Sequence, residues 1–305
     1  MDLSVIIPSY NTVKETCECV ESIYASLSKS TIAFEIIIFD NNSQDSSVQT
    51  IRRKFPKVTV IVNKTNLGYG KGNNKAVQIA RGKHLLFLNS DILVLDRAIE
   101  KMYQYFTTHN EEFAILGARL RNRDLTLQPS AAPFYSLPVI FAALFLKGDY
   151  WGLTRYSPKE VGMVDWVSGA CFMMLKKNFE AVGGFDENIF MYMDEVDFMY
   201  RARKQGLYVG FYPHAEFIHY GAFSTNKGTD VESVGTLFDG KKKPVVTLFS
   251  GFLYFYRKHN NSTELLMLKL LLMMKAGIGI FVGLLTGNSY LKQTYGEAYN
   301  VVKKS

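Results

Sequence analysis

The sequence predicts an α/β protein with a mixed, mostly parallel sheet flanked by helices, followed by an apolar and basic helical tail. Four apolar strands alternate with helical stretches in the first 107 residues. The strands are apolar throughout, which is typical of a parallel sheet covered on both faces. Polar residues follow these strands, and ligands of open α/β sheets bind beyond the carboxyl ends of the strands.

Apolar runs and helical periodicity give the order of the elements. Strands are predicted over 3–9, 34–40, 58–62 and 83–89, and helices over 14–28, 45–55, 70–81 and 96–107. Further strands are predicted over 164–175, 207–213 and 215–221, with a short helix within 176–185 and a longer one over 194–206. We expect a catalytic domain over 1–240 and a helical, membrane-associating region over 241–305.

The net charge of +7 is concentrated in the tail, where residues 241–305 hold ten Lys and Arg against two Glu. The stretch 265–285 is also strongly apolar, and this combination favours a membrane surface over nucleic acid as the partner. Lys269 and Lys275 interrupt the stretch, so we expect the tail to lie on the membrane without spanning it. Residues 129–153 are apolar and rich in proline, which suits a mobile lip over a site or a membrane contact.

Two features of the sequence point to the cytoplasmic side of a membrane. The amino terminus has no basic segment ahead of its first apolar run, so we expect no signal peptide. The three cysteines show no pairing pattern, which fits a reducing compartment.

Asp40 ends the second predicted strand. It can form an Asx turn or a helix cap, or it can accept hydrogen bonds from a base or ribose.

The glycine-rich stretch 66–77 opens the third helix, where backbone N–H groups can hold a diphosphate. It follows the third strand instead of the first, so it does not match the dinucleotide-binding pattern, and an ordinary tight turn remains the alternative.

Asp91 follows a buried strand, where an unpaired carboxylate would be unfavourable. Together with a substrate diphosphate it can hold a hard divalent cation, Mg²⁺ or Mn²⁺, and His219 is a candidate second ligand. A lone histidine is more often packed or hydrogen-bonded.

Three acids lie near the start of the helix over 194–206: Asp194, Glu195 and Asp197. They can serve as caps, or one of them can be a general base with a raised pKa.

Asp194 and Asp197 share one face of that helix, since successive residues are about 100° apart, and Glu195 points elsewhere. We therefore expect Asp194 and Asp197 to cap and brace the helix, with Arg201 one turn further on. Glu195 would then be free to act as the base.

Several segments occur in an order that resembles family 2 glycosyltransferases of the GT-A fold, most closely bacterial rhamnosyltransferases. The resemblance covers about residues 3–225, through "SVIIPSYN", "IIFDNNSQDSS", "NLGYGKGNN", "LFLNSDI", the run from "VSGACF" to "RARKQG", and "FIHYGAFST". The family's D-x-D motif reads Asn89-Ser90-Asp91 here, so only its last, metal-binding acid is present. The family's base lies in an acidic pair that reads Asp194-Glu195 here, in swapped order, and alignment on "VD" puts Glu195 in the base position.

The resemblance implies a role for each candidate residue. Nucleotide-sugar binding is expected of Pro8, Tyr10, Asn11, Asp40, Asn66, Gly70, Lys71, Asn74, Asn89, Ser90 and Asp91. Metal binding is expected of Asp91 and His219, catalysis of Glu195 and Asp194, and a sugar or acceptor pocket of Trp166, Ser168, Gly169, Asp197 and Arg201.

The expected activity is metal-dependent, inverting transfer of a sugar from a dTDP- or UDP-sugar, foremost L-rhamnose from dTDP-L-rhamnose. The expected acceptor is a polyprenyl-diphosphate-linked glycan at the inner face of the bacterial membrane. A sugar-phosphate nucleotidyltransferase would share the α/β core and a metal-binding Asp, but it usually carries a basic glycine-rich loop where this chain has "PSYN". An inactive membrane-bound sugar-binding subunit is the non-enzyme alternative. The sequence leaves open whether the chain forms an oligomer.

Overall fold

The computed structural model describes residues 1–221 and 244–305. The predicted sheet and its flanking helices are present. The strands are β1 Leu3–Ser9, β2 Phe34–Asp40, β3 Thr59–Val62, β4 His84–Leu88, β5 Ile92–Val94, β6 Ile115–Arg121, β7 Leu127–Gln128, β8 Ala131–Ala132, β9 Gly162–Val164, β10 Trp166–Val167, β11 Cys171–Leu175 and β12 Val209–His219. The helices are α1 Val13–Leu27, α2 Ser47–Lys54, α3 Tyr69–Ile79, α4 Ala98–His109, α5 Leu137–Phe145, α6 Lys176–Val182, α7 Asp194–Lys204, α8 Pro244–His259, α9 Ser262–Leu285 and α10 Ser289–Lys304.

The main sheet is mixed, and most of its paired residues lie in parallel ladders. Its strand order is β3-β2-β1-β4-β11-β6-β12-β5, with β7 paired to β6 and β9 paired to β12. The pairs β3-β2, β2-β1, β1-β4 and β6-β12 are parallel, whereas β11 runs antiparallel to both of its neighbours. Ser9 lies opposite Asp40 in the register, so the loops that follow β1 and β2 leave the sheet side by side.

Apolar faces of the helices cover this sheet. In α1 the buried residues Cys19, Val20, Ile23 and Leu27 recur at helical spacing and join the core with strand residues such as Leu86. The strand residues Val5, Ile7, Ile36 and Ile38 belong to the same cluster. Because this core holds the carboxyl ends of β1, β2 and β4 in place, it positions the loops that carry the candidate site.

Two strand predictions were wrong in detail. The predicted strand 164–175 is divided, because Trp166 pairs with Ala132 whereas Cys171 pairs with Leu88, and the residues between them turn from one partner to the other. The predicted strands 207–213 and 215–221 form one strand, β12, whose register shifts between Tyr212 and Glu216. Pro213 lies inside this irregularity and has no N–H to donate to a ladder, which explains why the sequence suggested a break.

The described residues divide into two compact units. The first contains Met1–Pro133, Arg155–Phe190 and the described residues from Asp194 to Gly221, and it holds the main sheet. The second contains Phe134–Thr154, Met191–Met193 and the described residues of the tail, so α5 belongs to the same unit as α8, α9 and α10. The boundary expected at residue 240 lies outside the described residues.

The tail is helical, as predicted. Helix α9 begins with a capping box, in which the Asn261 side chain accepts from the Glu264 N–H and the Glu264 side chain accepts from the Asn261 N–H. Of the helices that the structure describes, α9 is the one long and apolar enough to cross a bilayer, with 24 residues and a mean hydropathy of 2.1 over an 18-residue stretch.

Candidate active site

The Asp40 side chain bonds to Ser43, three residues further on, at the end of β2. Its Oδ1 accepts from the Ser43 N–H at 2.9 Å and its Oδ2 accepts from the Ser43 hydroxyl at 2.6 Å, and the residue is 1% exposed. Both carboxylate oxygens are therefore used in a local contact. Its contact with a nucleotide base stays a prediction, and such a contact would have to share these two oxygens.

The loops after β1 and β2 are bonded to one another. The Asn11 N–H donates to Ser43 Oγ at 2.9 Å, and Asn11 Oδ1 accepts from the Gln44 N–H at 2.7 Å. Asn11 has a φ of 53°, a left-handed conformation that Asn tolerates well. Next to it, Pro8 is buried and Tyr10 is half-buried at the edge of the sheet. The residues expected to line a nucleoside pocket therefore lie together on one braced edge.

The glycine-rich stretch is tied to this edge by an amide. Asn41 Nδ2 donates to the Gly68 carbonyl at 3.1 Å, and Asn41 Oδ1 accepts from the Leu67 N–H at 3.0 Å. Asn66 Oδ1 accepts from the Gly68 N–H at 2.9 Å. Gly68 has a φ of 78°, and a Cβ there would lie 2.4 Å from the Phe190 carbonyl oxygen, so only glycine fits. Our sequence interpretation missed Asn41, although its place after a buried strand was a usable signal.

The first turns of α3 face the segment 185–187. Asn74 Nδ2 donates to the Phe185 carbonyl at 2.9 Å and Asn74 Oδ1 accepts from the Phe185 N–H at 2.9 Å. Lys71 Nζ lies 3.1 Å from Glu187 Oε2, and a Cβ on Gly70 would lie 2.9 Å from Phe185 Cβ. These residues brace the start of α3, and their predicted contacts with a nucleotide sugar stay predictions.

Asp91 and His219 meet at the end of the sheet. Asp91 Oδ1 lies 3.4 Å from His219 Nε2, and Asp91 Oδ2 accepts from the Gly221 N–H at 3.0 Å. The two side chains are 24% and 16% exposed, so the pair borders solvent. Burial raises the pKa of Asp91, but His219 and the hydrogen bonds from His219 and the Gly221 N–H outweigh it and lower that pKa below its usual value.

Gln128 fixes the orientation of the His219 ring. His219 Nδ1 lies 2.8 Å from Gln128 Oε1, which can only accept, so Nδ1 carries the proton. His219 Nε2 lies 3.3 Å from Asn89 Nδ2 and 3.4 Å from Asp91 Oδ1. Neither Gln128 nor this use of Asn89 was foreseen, because Gln128 lies 91 residues from His219 in the chain.

The donor set suits a divalent cation whose remaining ligands come from elsewhere. One carboxylate oxygen and one imidazole nitrogen converge here, and the other nitrogen of the ring is held by an amide oxygen, as is usual for metal-binding histidines. Among residues 1–221 and 244–305 no group of three or more His, Cys, Asp or Glu side chains is gathered closely enough to hold a metal by itself. A cation held by Asp91 and His219 would therefore need substrate or water oxygens to complete its shell.

A chain of hydroxyls reaches Ser90, the residue before Asp91. Thr12 Oγ1 donates to Ser90 Oγ at 3.2 Å and lies 3.0 Å from Thr16 Oγ1, and Ser9 Oγ lies 3.2 Å from Thr16 Oγ1. All four residues are buried. The cluster joins the end of β1 to the loop that carries Asp91, so Ser90 has a positioning role here, and its predicted contact with the nucleotide sugar stays a prediction.

The acids of α7 divide as the helical geometry predicts. Asp194 is 2% exposed and Asp197 is fully buried, and Asp197 Oδ2 accepts from Arg201 Nε at 2.8 Å. The other two guanidinium nitrogens of Arg201 donate to the Val182 and Gly184 carbonyls, each at 2.6 Å. Glu195 is only half-buried. Asp197 and Arg201 thus brace α7, and their predicted contribution to an acceptor pocket stays a prediction.

Tyr69 connects the glycine-rich stretch to Glu195. Its hydroxyl donates to the Gly169 carbonyl at 2.6 Å, and a Cβ on Gly169 would lie 3.2 Å from that hydroxyl and 3.6 Å from Glu195 Cβ. Burial, and then the charges of Asp194 and Glu195, raise the pKa of Tyr69 well above its ordinary value, so the hydroxyl stays protonated. Tyr69 is a further residue that our sequence interpretation did not single out.

Trp166 and Ser168 lie in the segment just before Gly169. Trp166 is 2% exposed, its Nε1 donates to the Pro133 carbonyl at 2.9 Å, and the Arg155 guanidinium lies 5.4 Å from its ring. Stacking of Trp166 on a sugar stays a prediction that requires the ring to become exposed. Ser168 is half-buried, and its hydroxyl accepts from the Ala170 N–H at 3.3 Å.

Replacement of Arg201 by lysine should destabilise the fold. A lysine can keep the contact with Asp197 but cannot also reach the Val182 and Gly184 carbonyls, so buried acceptors lose their donors. We expect the free energy of unfolding to fall by about 1–3 kcal/mol. Urea unfolding measures this loss. Arg203→Lys on the same helix is the matched control and should change stability by less than about 0.5 kcal/mol, because the Arg203 side chain is 42% exposed. Equal effects of the two substitutions would contradict this role of Arg201.

Comparison with known proteins assigns the chain to a family. The model of the glycosyl transferase family 2 matches residues 4–181, more than half of the chain. The chain belongs to glycosyl transferase family 2. This confirms the resemblance seen in the ordered motifs. The roles of Asp91 and Glu195 in the candidate active site stay predictions.

Named relatives of this glycosyltransferase agree with that assignment. It is 29% identical over 228 residues to an N-acetylglucosaminyl-diphospho-decaprenol L-rhamnosyltransferase of Mycobacterium tuberculosis, a match that covers 68% of this chain and 73% of the relative. The likeness to bacterial rhamnosyltransferases is therefore confirmed. The crystal structure of S. aureus TarS 1–349 superposes with a TM-score of 0.54 at 16% identity, and the match covers 99% of this chain and 81% of TarS. GalNAc-T7, solved with UDP, GalNAc and Mn²⁺, gives a TM-score of 0.53 at 15% identity, over 72% of this chain and 44% of that one. These two structures show the shared fold.

Proposed function

We propose that this glycosyltransferase moves one sugar from a nucleotide donor by single displacement with inversion, and that Glu195 is the base. The observation that carries the proposal is the difference among the three acids of α7. Asp194 and Asp197 are buried, whereas Glu195 is half-buried beside Gly169 and Tyr69. A carboxylate that reaches solvent can accept a proton from an incoming hydroxyl, and one base opposite one leaving group gives inversion.

Asp91 and His219 would hold a divalent cation, Mg²⁺ or Mn²⁺, together with the donor's diphosphate. When bound, such an ion supplies positive charge to the leaving nucleoside diphosphate. The support is the convergence of Asp91 Oδ1 and His219 Nε2 within 3.4 Å and the orientation of the ring by Gln128. The presence of Mn²⁺ and UDP in the related GalNAc-T7 structure agrees with this assignment.

The proposed donor is dTDP-L-rhamnose and the proposed acceptor is a polyprenyl-diphosphate-linked glycan. Both follow from the relative that is named as a rhamnosyltransferase of a decaprenol diphosphate sugar. A lipid-linked acceptor requires the enzyme to work at a membrane. We accordingly propose a peripheral location on the cytoplasmic face, which agrees with the basic, apolar tail.

A donor panel tests the proposal. Purified protein is incubated with dTDP-L-rhamnose and with UDP-sugars, in Mg²⁺, Mn²⁺ or EDTA, with a lipid-linked GlcNAc acceptor, and released nucleoside diphosphate is measured. We expect the fastest release from dTDP-L-rhamnose, dependent on both metal and acceptor. Release of pyrophosphate from a sugar 1-phosphate and a nucleoside triphosphate would instead identify a nucleotidyltransferase. Turnover of none of the donors would favour an inactive binding subunit.

A further inference from the structure

The outward side of α9 is apolar. Six of its side chains are between 46% and 71% exposed and form one stripe along the helix: Leu266, Leu270, Met274, Ile278, Phe281 and Leu285. No charged residue of α9 falls between them on this stripe, since Lys269 and Lys275 each lie about 120° from its centre on the helical wheel. An exposed apolar patch of this length marks an interaction surface.

The lysines interrupt the apolar stretch in the sequence but lie off the stripe, and Lys275 is packed within its own unit. Lys275 Nζ turns inward and donates to the Leu144 carbonyl at 2.6 Å, and it lies 5.6 Å from the centre of the Phe145 ring. Both of these residues belong to α5 of the same unit. The membrane cost assigned to a free Lys275 therefore does not apply to this packed one.

The opposite side of α9 is covered by α10. A Cβ on Gly279 would lie 2.2 Å from the Tyr295 ring, and a Cβ on Gly283 would lie 2.7 Å from the Lys292 backbone nitrogen, so the two helices pack closely. The outer side of α10 is polar, with Lys292, Gln293, Glu297, Asn300 and Lys303 exposed. If α9 crossed a bilayer, α10 would carry these groups into hydrocarbon, which is strongly unfavourable. The pair instead suits a helix that lies in the plane of the membrane with its stripe facing the lipid.

The same unit exposes a second apolar set after α5. Leu146, Tyr150, Trp151 and Leu153 are 51%, 78%, 68% and 57% exposed. Tyrosine and tryptophan are enriched where a protein meets the interface of a bilayer, because their rings are apolar and their polar atoms remain hydrated. This set agrees with a membrane as the partner of the unit.

The charge of the unit indicates which membrane. Residues 244–305 contain seven Lys and Arg and two Glu, and five of the cations are exposed: Arg257, Lys258, Lys292, Lys303 and Lys304. Lys292 and Lys303 lie on the outer side of α10, away from the stripe, so the charge acts through the unit as a whole. The net charge of +5 over residues 244–305 attracts the unit to anionic lipid, whereas two such units repel one another. A bilayer therefore fits the stripe better than a second copy of the chain does.

We propose that the stripe of α9 and the apolar residues after α5 form a docking surface for an anionic bilayer, with α9 lying in the plane of the membrane. This rests on the proposed function only in that a lipid-linked acceptor gives the surface its use. The proposal adds the partner, an anionic bilayer, the residues that contact it, and the orientation of α9.

Vesicle flotation tests the surface. Wild type should float with phosphatidylcholine vesicles that contain phosphatidylglycerol, and more weakly with phosphatidylcholine alone. The double variant Leu270→Glu, Phe281→Glu should lose about tenfold or more in partitioning. Ser289→Glu with Asn300→Glu adds the same charge on exposed polar positions of α10 and is the matched control. Equal flotation of both variants would overturn the proposal, and so would a wild type that dimerises through Leu270 and does not float.

Fluorescence and labelling test the rest. The chain has two tryptophans, of which Trp151 is 68% exposed and Trp166 is 2% exposed, so Trp151 should report lipid contact by a blue shift that Trp151→Phe abolishes. If wild type floats but its fluorescence does not shift, the segment after α5 is not part of the docking surface. The native cysteines are buried, so Thr263→Cys at the start of α9 and Ser289→Cys just beyond its end, at the start of α10, can be labelled selectively in inverted membrane vesicles. Labelling of both by an impermeant maleimide supports the in-plane orientation, and protection of one would show a spanning helix.

Donor hydrolysis without vesicles separates this proposal from the proposed function. The variant Leu270→Glu, Phe281→Glu should hydrolyse the nucleotide sugar at the wild-type rate, because both side chains are exposed and neither is among the candidate site residues. If the protein floats with vesicles but turns over no donor, the result would contradict the proposed enzymatic function and would still support the docking surface.

Discussion

Glu195→Gln should reduce turnover by about 10²–10⁴-fold and leave donor binding nearly intact. Glutamine keeps the shape of the side chain but cannot accept the proton of the acceptor hydroxyl. The half-buried position of Glu195 beside Gly169 means that the amide adds no buried charge or cavity, so folding should be unaffected. Steady-state kinetics with the preferred donor, together with calorimetric donor binding, separate the two effects.

Asp194→Asn is the matched control for Glu195→Gln. Asp194 is 2% exposed and lies in the same first turn of α7. Its replacement should therefore lower the melting temperature, and any loss of turnover should accompany that loss of stability. A folded but inactive Asp194→Asn, beside a nearly fully active Glu195→Gln, would show that the roles of the two acids are reversed.

Asp91→Asn should weaken binding of the nucleoside diphosphate by at least about tenfold when Mg²⁺ or Mn²⁺ is present, and little in EDTA. Asparagine removes the charge beside His219 Nε2, while its side-chain oxygen can still accept from the Gly221 N–H. The variant should therefore fold. Isothermal titration calorimetry with and without metal measures the difference.

Asp96→Asn is a suitable control, because Asp96 is an exposed acid that pairs with Lys101 near the end of β5. It should bind the nucleoside diphosphate as wild type does. Equal and metal-independent affinity in wild type and Asp91→Asn would exclude the metal-binding role. An Asp91→Asn protein that does not fold would instead indicate a structural aspartate.

The sequence was most informative where the structure depends on local periodicity. Strands β1 and β2 were predicted with the bounds that they have, because their apolar runs end at polar residues, Ser9 and Asp40. The contrast between Glu195 and its two buried neighbours also followed from helical geometry alone. The ordered motifs were sufficient to identify the family.

The parts that were missed depend on contacts between distant segments. Gln128 orients His219 across 91 residues and Tyr69 reaches Gly169 across 100, and no local pattern marks either residue. The division of 164–175 depended on which strand each part pairs with, and a single apolar run does not encode that choice. The orientation of Lys275 likewise depended on α5, which lies more than a hundred residues earlier in the chain.

Mass spectrometry of the lipid-linked acceptor tests the central claim most directly. Wild type and Glu195→Gln are incubated with the donor that the panel selects, a divalent metal and the polyprenyl-diphosphate-linked acceptor. The lipid is then extracted, its mass is measured, and its new linkage is examined by NMR. We predict that wild type adds one sugar with inverted anomeric configuration and that Glu195→Gln adds almost none in the same time. Donor consumption without a glycosylated lipid, retention of configuration, or equal product from both proteins would contradict the account.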